Sequence, residues 1–248
     1  MKDTSLKKTI DGLVNDVNVK KPVYLLAGRS RKTPDPLLQL VFRESGTPSS
    51  TIAYVGTANG DDAGFFDRMA GAFREAGAGR ISHALITPEK ADLKKAKDIL
   101  ESADIVFISG GDVEMGMRAL KEKGMVRFLS RLYEQGKPFF GLSAGSIMLA
   151  REWVRWQDPD DATAELFPCL GIAPVICDTH DEEDGWQELK MALKLEQDNV
   201  RGYGIVSGTA IKVCPDGCVE ALGGAIHQFM RQGGRVRRLS DILPVSDI

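Results

Sequence analysis

The stretch that decides the fold lies at residues 139–150 and reads FFGLSAGSIMLA. Its first residues form an apolar run typical of a buried strand, and the residues from Ile147 onward are compatible with a helix. Between them, Gly141, Ser143 and Gly145 form a G-x-S-x-G at a strand-to-helix junction, where the glycines remove Cβ atoms that would collide. The pattern predicts a Ser143 hydroxyl that projects into a cleft at a helix N-terminus, where free N–H groups favour negative charge. A Ser/Gly-rich turn without chemistry is the alternative.

Four more apolar runs of this kind begin near Val23 (VYLLAG), Ile52 (IAYVG), Ile81 (ISHALI) and Ile105 (IVFISGG). Helix-length segments with apolar residues three and four apart lie between the runs, and Asp61 is expected to start the first helix. A spacing near thirty residues predicts parallel βαβ units, because a parallel connection needs a crossover of about a dozen or more residues. The fold class is therefore α/β, with a doubly wound, mostly parallel sheet flanked by helices.

The rest of the chain adds smaller pieces to this sheet. The runs at 210–213 and 219–222 flank a Pro-Asp-Gly turn, which predicts a C-terminal β-hairpin. We expect an N-terminal extension at residues 1–20, a single α/β domain that carries the chemistry at residues 21–230, and a C-terminal tail at residues 231–248.

Composition excludes several classes of protein. The chain has 248 residues, of which 43% are hydrophobic and 27% charged, and its 32 Lys and Arg nearly balance 35 Asp and Glu. A formal net charge of -3 provides no domain-wide positive field for nucleic acid or an anionic membrane. No apolar stretch has the length of a signal peptide or a membrane span, so we expect a cytoplasmic protein without a membrane partner. Cys214 and Cys218 lack a second ligand pair, and we expect neither a metal nor another cofactor.

A second candidate loop, ISGGD at residues 108–112, ends the fourth apolar run. Reactive groups gather at the carboxyl ends of the strands in such sheets. Acyl transfer needs about two N–H donors around the oxyanion, and we expect Gly111 and Ala144 to supply them. The alternatives are a tight turn in which Asp112 caps the next helix, and a phosphate loop, although no Gly-Lys-Ser/Thr ending or G-x-G-x-x-G supports the latter.

A serine nucleophile needs a base, and the chain has three histidines. His180 follows the strand-like run PVICDT at residues 174–179, which places it at a strand's carboxyl end like the serine and makes it our candidate general base. A solvated surface histidine is the alternative. His83 and His227 lie inside apolar runs and are expected to be structural. Asp158 is our candidate for the acid that orients the imidazole, although an Asp before Pro also forms turns.

Four pieces of this sequence together resemble peptidase family S51, the group of aspartyl dipeptidases and cyanophycinases. They are Gly-Gly-Asp at 110–112, Gly-Leu-Ser-Ala-Gly-Ser at 141–146, Leu-Phe-Pro at 166–168 and Asp-Thr-His at 178–180.

The resemblance implies a fold similar to class I glutamine amidotransferases, with serine in place of their cysteine. It also implies hydrolysis of small peptides through an acyl-serine intermediate. Position by position, it implies Ser143 as the nucleophile, His180 as the base, Gly111 as the oxyanion-loop glycine and Asp158 as an acidic position associated with the dipeptidase site.

Three features depart from the family pattern. Asp112 stands where the oxyanion loop usually has Asn, and Ser207 stands where the dipeptidases carry a late glutamate behind the histidine. The family also places an arginine shortly after the histidine, which suits an acidic substrate side chain. Here no arginine occurs between His180 and Arg201, and four acids follow His180 directly. We therefore expect strict Asp-X specificity to be lost and a neutral or cationic peptide end to be favoured.

Two other functions stay open at this point. An esterase of the α/β-hydrolase type shares G-x-S-x-G and would be favoured by a catalytic histidine near the C-terminus, such as His227. A catalytically silent binding or regulatory protein on the same fold is consistent with the missing arginine and with Ser207. A homodimer is compatible with the sequence, which does not fix the oligomeric state.

Overall fold

The computed structural model describes residues 19–30, 32–46, 49–157 and 163–244, and it combines helices with three β-sheets. The strands are β1 (Val23–Leu26), β2 (Ile52–Val55), β3 (Ile81–His83), β4 (Ile105–Ile108), β5 (Phe139–Leu142), β6 (Glu152–Trp156), β7 (Ala164–Pro168), β8 (Ile176–Thr179), β9 (Arg201–Ile205), β10 (Ala210–Val213), β11 (Val219–Leu222), β12 (His227–Gln232) and β13 (Arg235–Arg238). The α-helices are α1 (Pro36–Ser45), α2 (Ala63–Glu75), α3 (Leu93–Ser102), α4 (Val113–Glu122), α5 (Val126–Glu134), α6 (Ala144–Leu149) and α7 (Gln187–Leu195). No helix within these ranges is long and apolar enough to cross a membrane.

The largest sheet has seven strands in the order β11-β10-β1-β5-β4-β2-β3. The five neighbouring strands β1, β5, β4, β2 and β3 pair in parallel. At the other edge, β10 pairs antiparallel with both β1 and β11. The predicted mostly parallel sheet and C-terminal hairpin are confirmed, because β1 to β5 coincide with the five apolar runs. The likeness to class I glutamine amidotransferases stays a prediction.

Helices cover both faces of this sheet, as the alternation of side chains along β1 shows. Val23 and Leu25 pack in the cluster that contains α3, α4, α5 and α6. Tyr24 and Leu26 point the other way, into the cluster that contains α1 and α2. Burial on both faces explains why the strands read as continuous apolar runs rather than as alternating ones.

One helix boundary in the sequence analysis is wrong. Asp62, and not Asp61, caps α2, because its side chain accepts a hydrogen bond from the Phe65 N–H at 2.6 Å. Asp61 precedes it with a φ of 59° and is buried.

A second sheet, in the order β13-β12-β9-β8, was not predicted. Its strand β9 contains two glycines, which weaken a sequence-based strand signal but give α7 space to pack. A Cβ on Gly202 would lie 2.8 Å from a methyl group of Leu189, and one on Gly204 would lie 2.7 Å from the Trp186 indole. Strand β12 runs across residue 230 and β13 follows it, so residues 231–238 belong to this sheet. The division of the chain at residues 20 and 230 stays a prediction.

Four aromatic rings pack α1 and α2 against the large sheet. The centroid of Phe73 lies 5.8 Å from Phe42, 4.9 Å from Phe107 and 5.6 Å from Phe140. These near-perpendicular contacts are favourable for aromatic quadrupoles, and Phe73 is fully buried.

Replacing Phe73 by Ala should therefore lower the free energy of unfolding by about 3–5 kcal/mol, through lost burial and an unfilled cavity. Urea unfolding followed by circular dichroism measures the change. Leu243, whose side chain is 70% exposed, is the control, and Leu243→Ala should stay within about 0.5 kcal/mol of the wild type. Equal losses in both variants would contradict this description of the core.

Candidate active site

Ser143 occupies the sharp turn between β5 and α6. Its backbone has φ 54° and ψ -126°, a strained conformation for a residue with a side chain, and its N–H donates to the Leu26 carbonyl at 2.8 Å. The flanking glycines are required sterically, as the sequence pattern suggested. A Cβ on Gly141 would lie 2.6 Å from the Gly145 carbonyl carbon, and one on Gly145 would lie 2.1 Å from the Ile108 carbonyl oxygen.

His180 directly follows β8, so it comes from a different sheet than Ser143. Its φ is 47°, and its N–H donates to the Ile205 carbonyl on β9 at 3.0 Å. Helix α6 contacts β8 and so joins the two sheets at this point. As a result, His180 Nε2 lies 2.7 Å from Ser143 Oγ, which is hydrogen-bond distance.

The loop after β4 lies against the same turn. Gly111 has a φ of 144°, and a Cβ there would lie 2.0 Å from the Ala58 carbonyl oxygen. The same carbonyl accepts the Asp112 N–H at 2.7 Å, while the Asp112 side chain caps α4 by accepting the Met115 N–H. Ala144 is the first residue of α6, so its N–H has no acceptor within the helix.

A network behind this loop was missed by sequence reasoning. Asn59 Nδ2 donates to the Gly110 carbonyl at 3.0 Å and to Ser109 Oγ at 2.9 Å. The Tyr54 hydroxyl donates to the same Ser109 oxygen at 2.8 Å. Asn59 ends the short 3₁₀ turn after β2, and a polar residue just beyond a strand's carboxyl end is the signal that could have identified it.

Asp61 anchors the turn that carries Asn59. Its carboxylate accepts the N–H groups of Ile86 at 2.8 Å and Thr87 at 2.7 Å, and it lies 3.2 Å from His83 Nε2. Burial alone would raise the pKa of Asp61, but His83 and these N–H donors together hold it below its usual value. His83 is thus structural, as expected, and stacks on Phe66.

Ser143 and His180 both line a cavity of about 280 Å³. Four acids line it, and no Lys or Arg of the described ranges does. Its lining residues are Gly111, Asp112, Val113, Ser143, Ala144, Ile147, Trp153, Asp178, Thr179, His180, Asp181 and Glu188. Within the described part of the chain, no group of three or more His, Cys, Asp or Glu is arranged to hold a metal ion.

Burial raises the pKa of two of these acids, Asp178 and Glu188. Burial, with the nearby charge of Glu188, raises the pKa of Asp178 to about 7. Burial also raises the pKa of Glu188, although the Trp153 indole N–H donates to its carboxylate at 2.6 Å. Asp178 belongs to the Asp-Thr-His motif of the sequence. Glu188 and Trp153 were not predicted, because they approach the site through the packing of α7 on β6.

No acid that would orient the His180 imidazole is hydrogen-bonded to it within the described residues. Asp158 lies outside the described residues, and no hydrogen bond within those ranges joins a carboxylate to the His180 ring. Ser207, which departs from the family pattern, donates its N–H and its hydroxyl to Glu182. Burial alone would raise the pKa of Glu182, but these donors and the neighbouring His180 hold it below its usual value.

His227 has a partner of its own elsewhere. The Trp186 indole N–H donates to His227 Nδ1 at 2.9 Å, at the start of β12. The histidine that reaches Ser143 is therefore His180, and the contact expected for an esterase based on His227 is not formed.

The fold and the site define an α/β protein with a serine–histidine pair at the end of a mostly parallel sheet. The sequence profile of peptidase family S51 matches residues 25–220, which is most of the chain. The protein belongs to this family.

Curated relatives agree with the family. The chain is 29% identical to Peptidase E of Streptomyces coelicolor over 161 residues, which are 60% of this chain and 65% of that protein. It is 31% identical to Peptidase E of Haemophilus influenzae over 81 residues, 30% of this chain and 37% of that protein. The aligned regions thus span less than two thirds of these relatives.

Two solved structures share the fold. A peptidase from an acI-B1 actinobacterium superimposes with a TM-score of 0.68 at 15% identity, covering 92% of this chain and 98% of that one. A putative Peptidase E protein from Listeria monocytogenes superimposes with a TM-score of 0.58 at 18% identity, covering 89% of this chain and 100% of that one.

Gly111→Ala should destabilise the protein by about 2 kcal/mol or more, because a Cβ would collide with the Ala58 carbonyl at an unfavourable φ. Gly71 on α2 is the matched control, since nothing lies within 4 Å of its Cβ position. Gly71→Ala should be neutral or stabilising by up to about 1 kcal/mol. Thermal and urea unfolding measure both, and a neutral Gly111→Ala would contradict the described contact.

Asp61 should make stability depend on acid pH. A carboxyl whose pKa is lowered by folding stabilises the folded protein above its unfolded pKa of about 3.9, and this contribution is lost as pH falls through the lower folded value. Asp61→Asn should therefore be destabilised at pH 7 and should show a flatter loss of stability below about pH 4. Urea unfolding at pH 3, 4, 5 and 7 tests this, with Asp67→Asn at an exposed position of α2 as the control. Parallel pH curves for wild type and Asp61→Asn would contradict it.

Proposed function

We propose that this protein is a serine peptidase that hydrolyses small peptides through an acyl-serine intermediate. The observation that carries the proposal is the 2.7 Å contact between Ser143 Oγ and His180 Nε2 in a cavity that Gly111 and Ala144 also line. Membership of family S51 supports peptide hydrolysis as the activity.

In the proposed mechanism, His180 Nε2 takes the Ser143 hydroxyl proton as the serine oxygen attacks the carbonyl carbon of the scissile bond. The N–H groups of Gly111 and Ala144 donate to the oxyanion of the tetrahedral intermediate. His180 then gives its proton to the leaving amine, and water, activated by the same imidazole, releases the acyl group and restores the serine. Asp158 remains our candidate for orienting the imidazole.

The turn supports this role because it acts as a nucleophile elbow. The positive φ of Ser143 lifts its hydroxyl away from the strand, toward His180. The volume of about 280 Å³ is at the lower limit of typical ligand pockets, which favours short peptides. Acids around this cavity, without an arginine or lysine of the described ranges, argue against strict Asp-X specificity. The cytoplasmic location, the absence of nucleic-acid and membrane partners, and a homodimer stay predictions.

A serine-directed fluorophosphonate probe tests the mechanism. Wild type should label, and Ser143→Ala and His180→Ala should each slow labelling by about 10³-fold or more, because nucleophile and base act as a unit. Ser130→Ala and His227→Ala are matched controls and should keep labelling, since Ser130 Oγ donates to the Val126 carbonyl within α5 and His227 Nδ1 accepts the Trp186 N–H. The probe's modified residue is read by peptide mass spectrometry.

Other outcomes would favour the alternatives. Labelling that needs His227 rather than His180 would support an esterase. A folded wild type that never labels would support a silent binding protein.

A further inference from the structure

We propose that the active-site cavity binds an organic cation of the substrate, an ammonium or guanidinium group beside the scissile bond, at a subsite formed by Asp178, Glu188 and Trp153. The proposal rests on the proposed peptidase function and assigns a substrate class to it. It concerns side chains that come from three separate elements, β8, α7 and β6.

Asp178 is the first observation. The residue is only 4% exposed, yet it lines the cavity, and its Oδ2 atom has no hydrogen-bond partner. Its other carboxylate oxygen accepts the Thr179 N–H at 2.7 Å. A buried carboxylate oxygen without a donor is costly, and a cation beside Asp178 in the cavity would stabilise the charged form of this carboxylate.

Glu188 and Trp153 are the second observation. Glu188 also lines the cavity, and the indole N–H of Trp153 fixes its carboxylate at 2.6 Å. The cavity therefore offers two positioned carboxylates and an aromatic side chain. This combination suits a flat or bulky organic cation, which gains charge-assisted hydrogen bonds and contact with the ring.

Two basic side chains on the same elements contact other groups. Lys190, on α7 with Glu188, places its ammonium over the Phe229 ring at 5.5 Å. Arg155, on β6 with Trp153, donates to Glu165 at 2.6 Å. Among the described residues, no Lys or Arg lines the cavity, so the ionised forms of these carboxylates have no basic side chain beside them there, and an acidic substrate group would be repelled.

Matched dipeptides test the proposal with the full chain. Arg-Ala against citrulline-Ala, and Ala-Arg against Ala-citrulline, change the charge of a side chain at nearly constant shape, and Ala-Ala against acetyl-Ala-Ala removes the α-ammonium group. The cationic member of at least one pair should have a kcat/KM about tenfold higher or more, which corresponds to about 1.4 kcal/mol. The pair that shows the effect identifies the source of the cation. Three pairs equal within about threefold, or a preference for Asp-Ala, would overturn the proposal.

Variants connect the preference to the subsite. Asp178→Asn and Glu188→Gln should each reduce the preference at least about fivefold, mainly through KM, while Glu183→Gln, at an exposed acid outside the cavity, should keep it. Circular dichroism checks that each variant folds, and Glu188→Gln covers the case in which Asp178→Asn does not. A preference that survives in a folded Glu188→Gln and Asp178→Asn would overturn the assignment.

A binding experiment separates this proposal from the proposed function. Calorimetry on Ser143→Ala compares butylguanidine, which carries a single guanidinium charge, with butylurea, its neutral analogue. Butylguanidine should bind about tenfold more tightly or better, and equal binding or no binding of butylguanidine would overturn the subsite. If butylguanidine binds selectively but the wild type neither labels nor cleaves peptides, the function fails and the subsite stands. If the probe labels Ser143 without any cation preference, the reverse holds.

Discussion

The structure depends on how closely α6 approaches the end of β4. A Cβ on Gly145 would lie 2.1 Å from the Ile108 carbonyl oxygen, so only glycine permits this contact. Ile108 ends β4, and the loop that follows is therefore held against the turn that carries the nucleophile. The hypothetical Cβ of Gly110 lies 3.2 Å from the Ser143 Cβ. One steric constraint thus sets both the position of the serine and the position of the N–H donors beside it.

The same helix joins two sheets, which is how the pair of reactive residues is assembled. Ser146 Oγ donates to the Leu26 carbonyl on β1 at 2.9 Å, while the Cys177 thiol on β8 lies 3.9 Å from the Ser146 carbonyl oxygen. The unfavourable φ angles of Ser143 and His180 are maintained because each N–H is bonded to a strand, one to β1 and the other to β9. The strain is offset by hydrogen bonds that belong to the two sheets.

The sequence predicted what depends on local pattern and missed what depends on packing. The five parallel strands, the G-x-S-x-G turn and His180 at a strand end all leave a signal within about ten residues. Asn59 contributes through Gly110, fifty-one positions away, and no local pattern marks that partnership. Strand β9 was missed because its glycines, which make space for Leu189 and Trp186, lower its strand propensity. The first helix was predicted to start at Asp61 but is capped by Asp62, because the Asp61 carboxylate instead accepts the distant N–H groups of Ile86 and Thr87.

The charge of the site also depends on packing that the local sequence does not show. The four acids after His180 suggested a repulsive patch, but the structure gives them separate roles. Asp181 lines the cavity, and its carboxylate accepts the N–H of Gln187, the first residue of α7, at 3.0 Å. Glu182 accepts a hydrogen bond from Ser207. Glu183 and Asp184 are exposed. The negative character next to the Ser143–His180 pair comes as much from Asp178 before the histidine and Glu188 on α7. Asp178 is buried and Glu188 is half-buried, so the charge that each carries when ionised is less screened by solvent than that of an exposed run, while the same burial raises the pKa of both groups. Asp178 and Glu188, more than the acidic run at residues 181–184, therefore disfavour an acidic substrate group in the cavity.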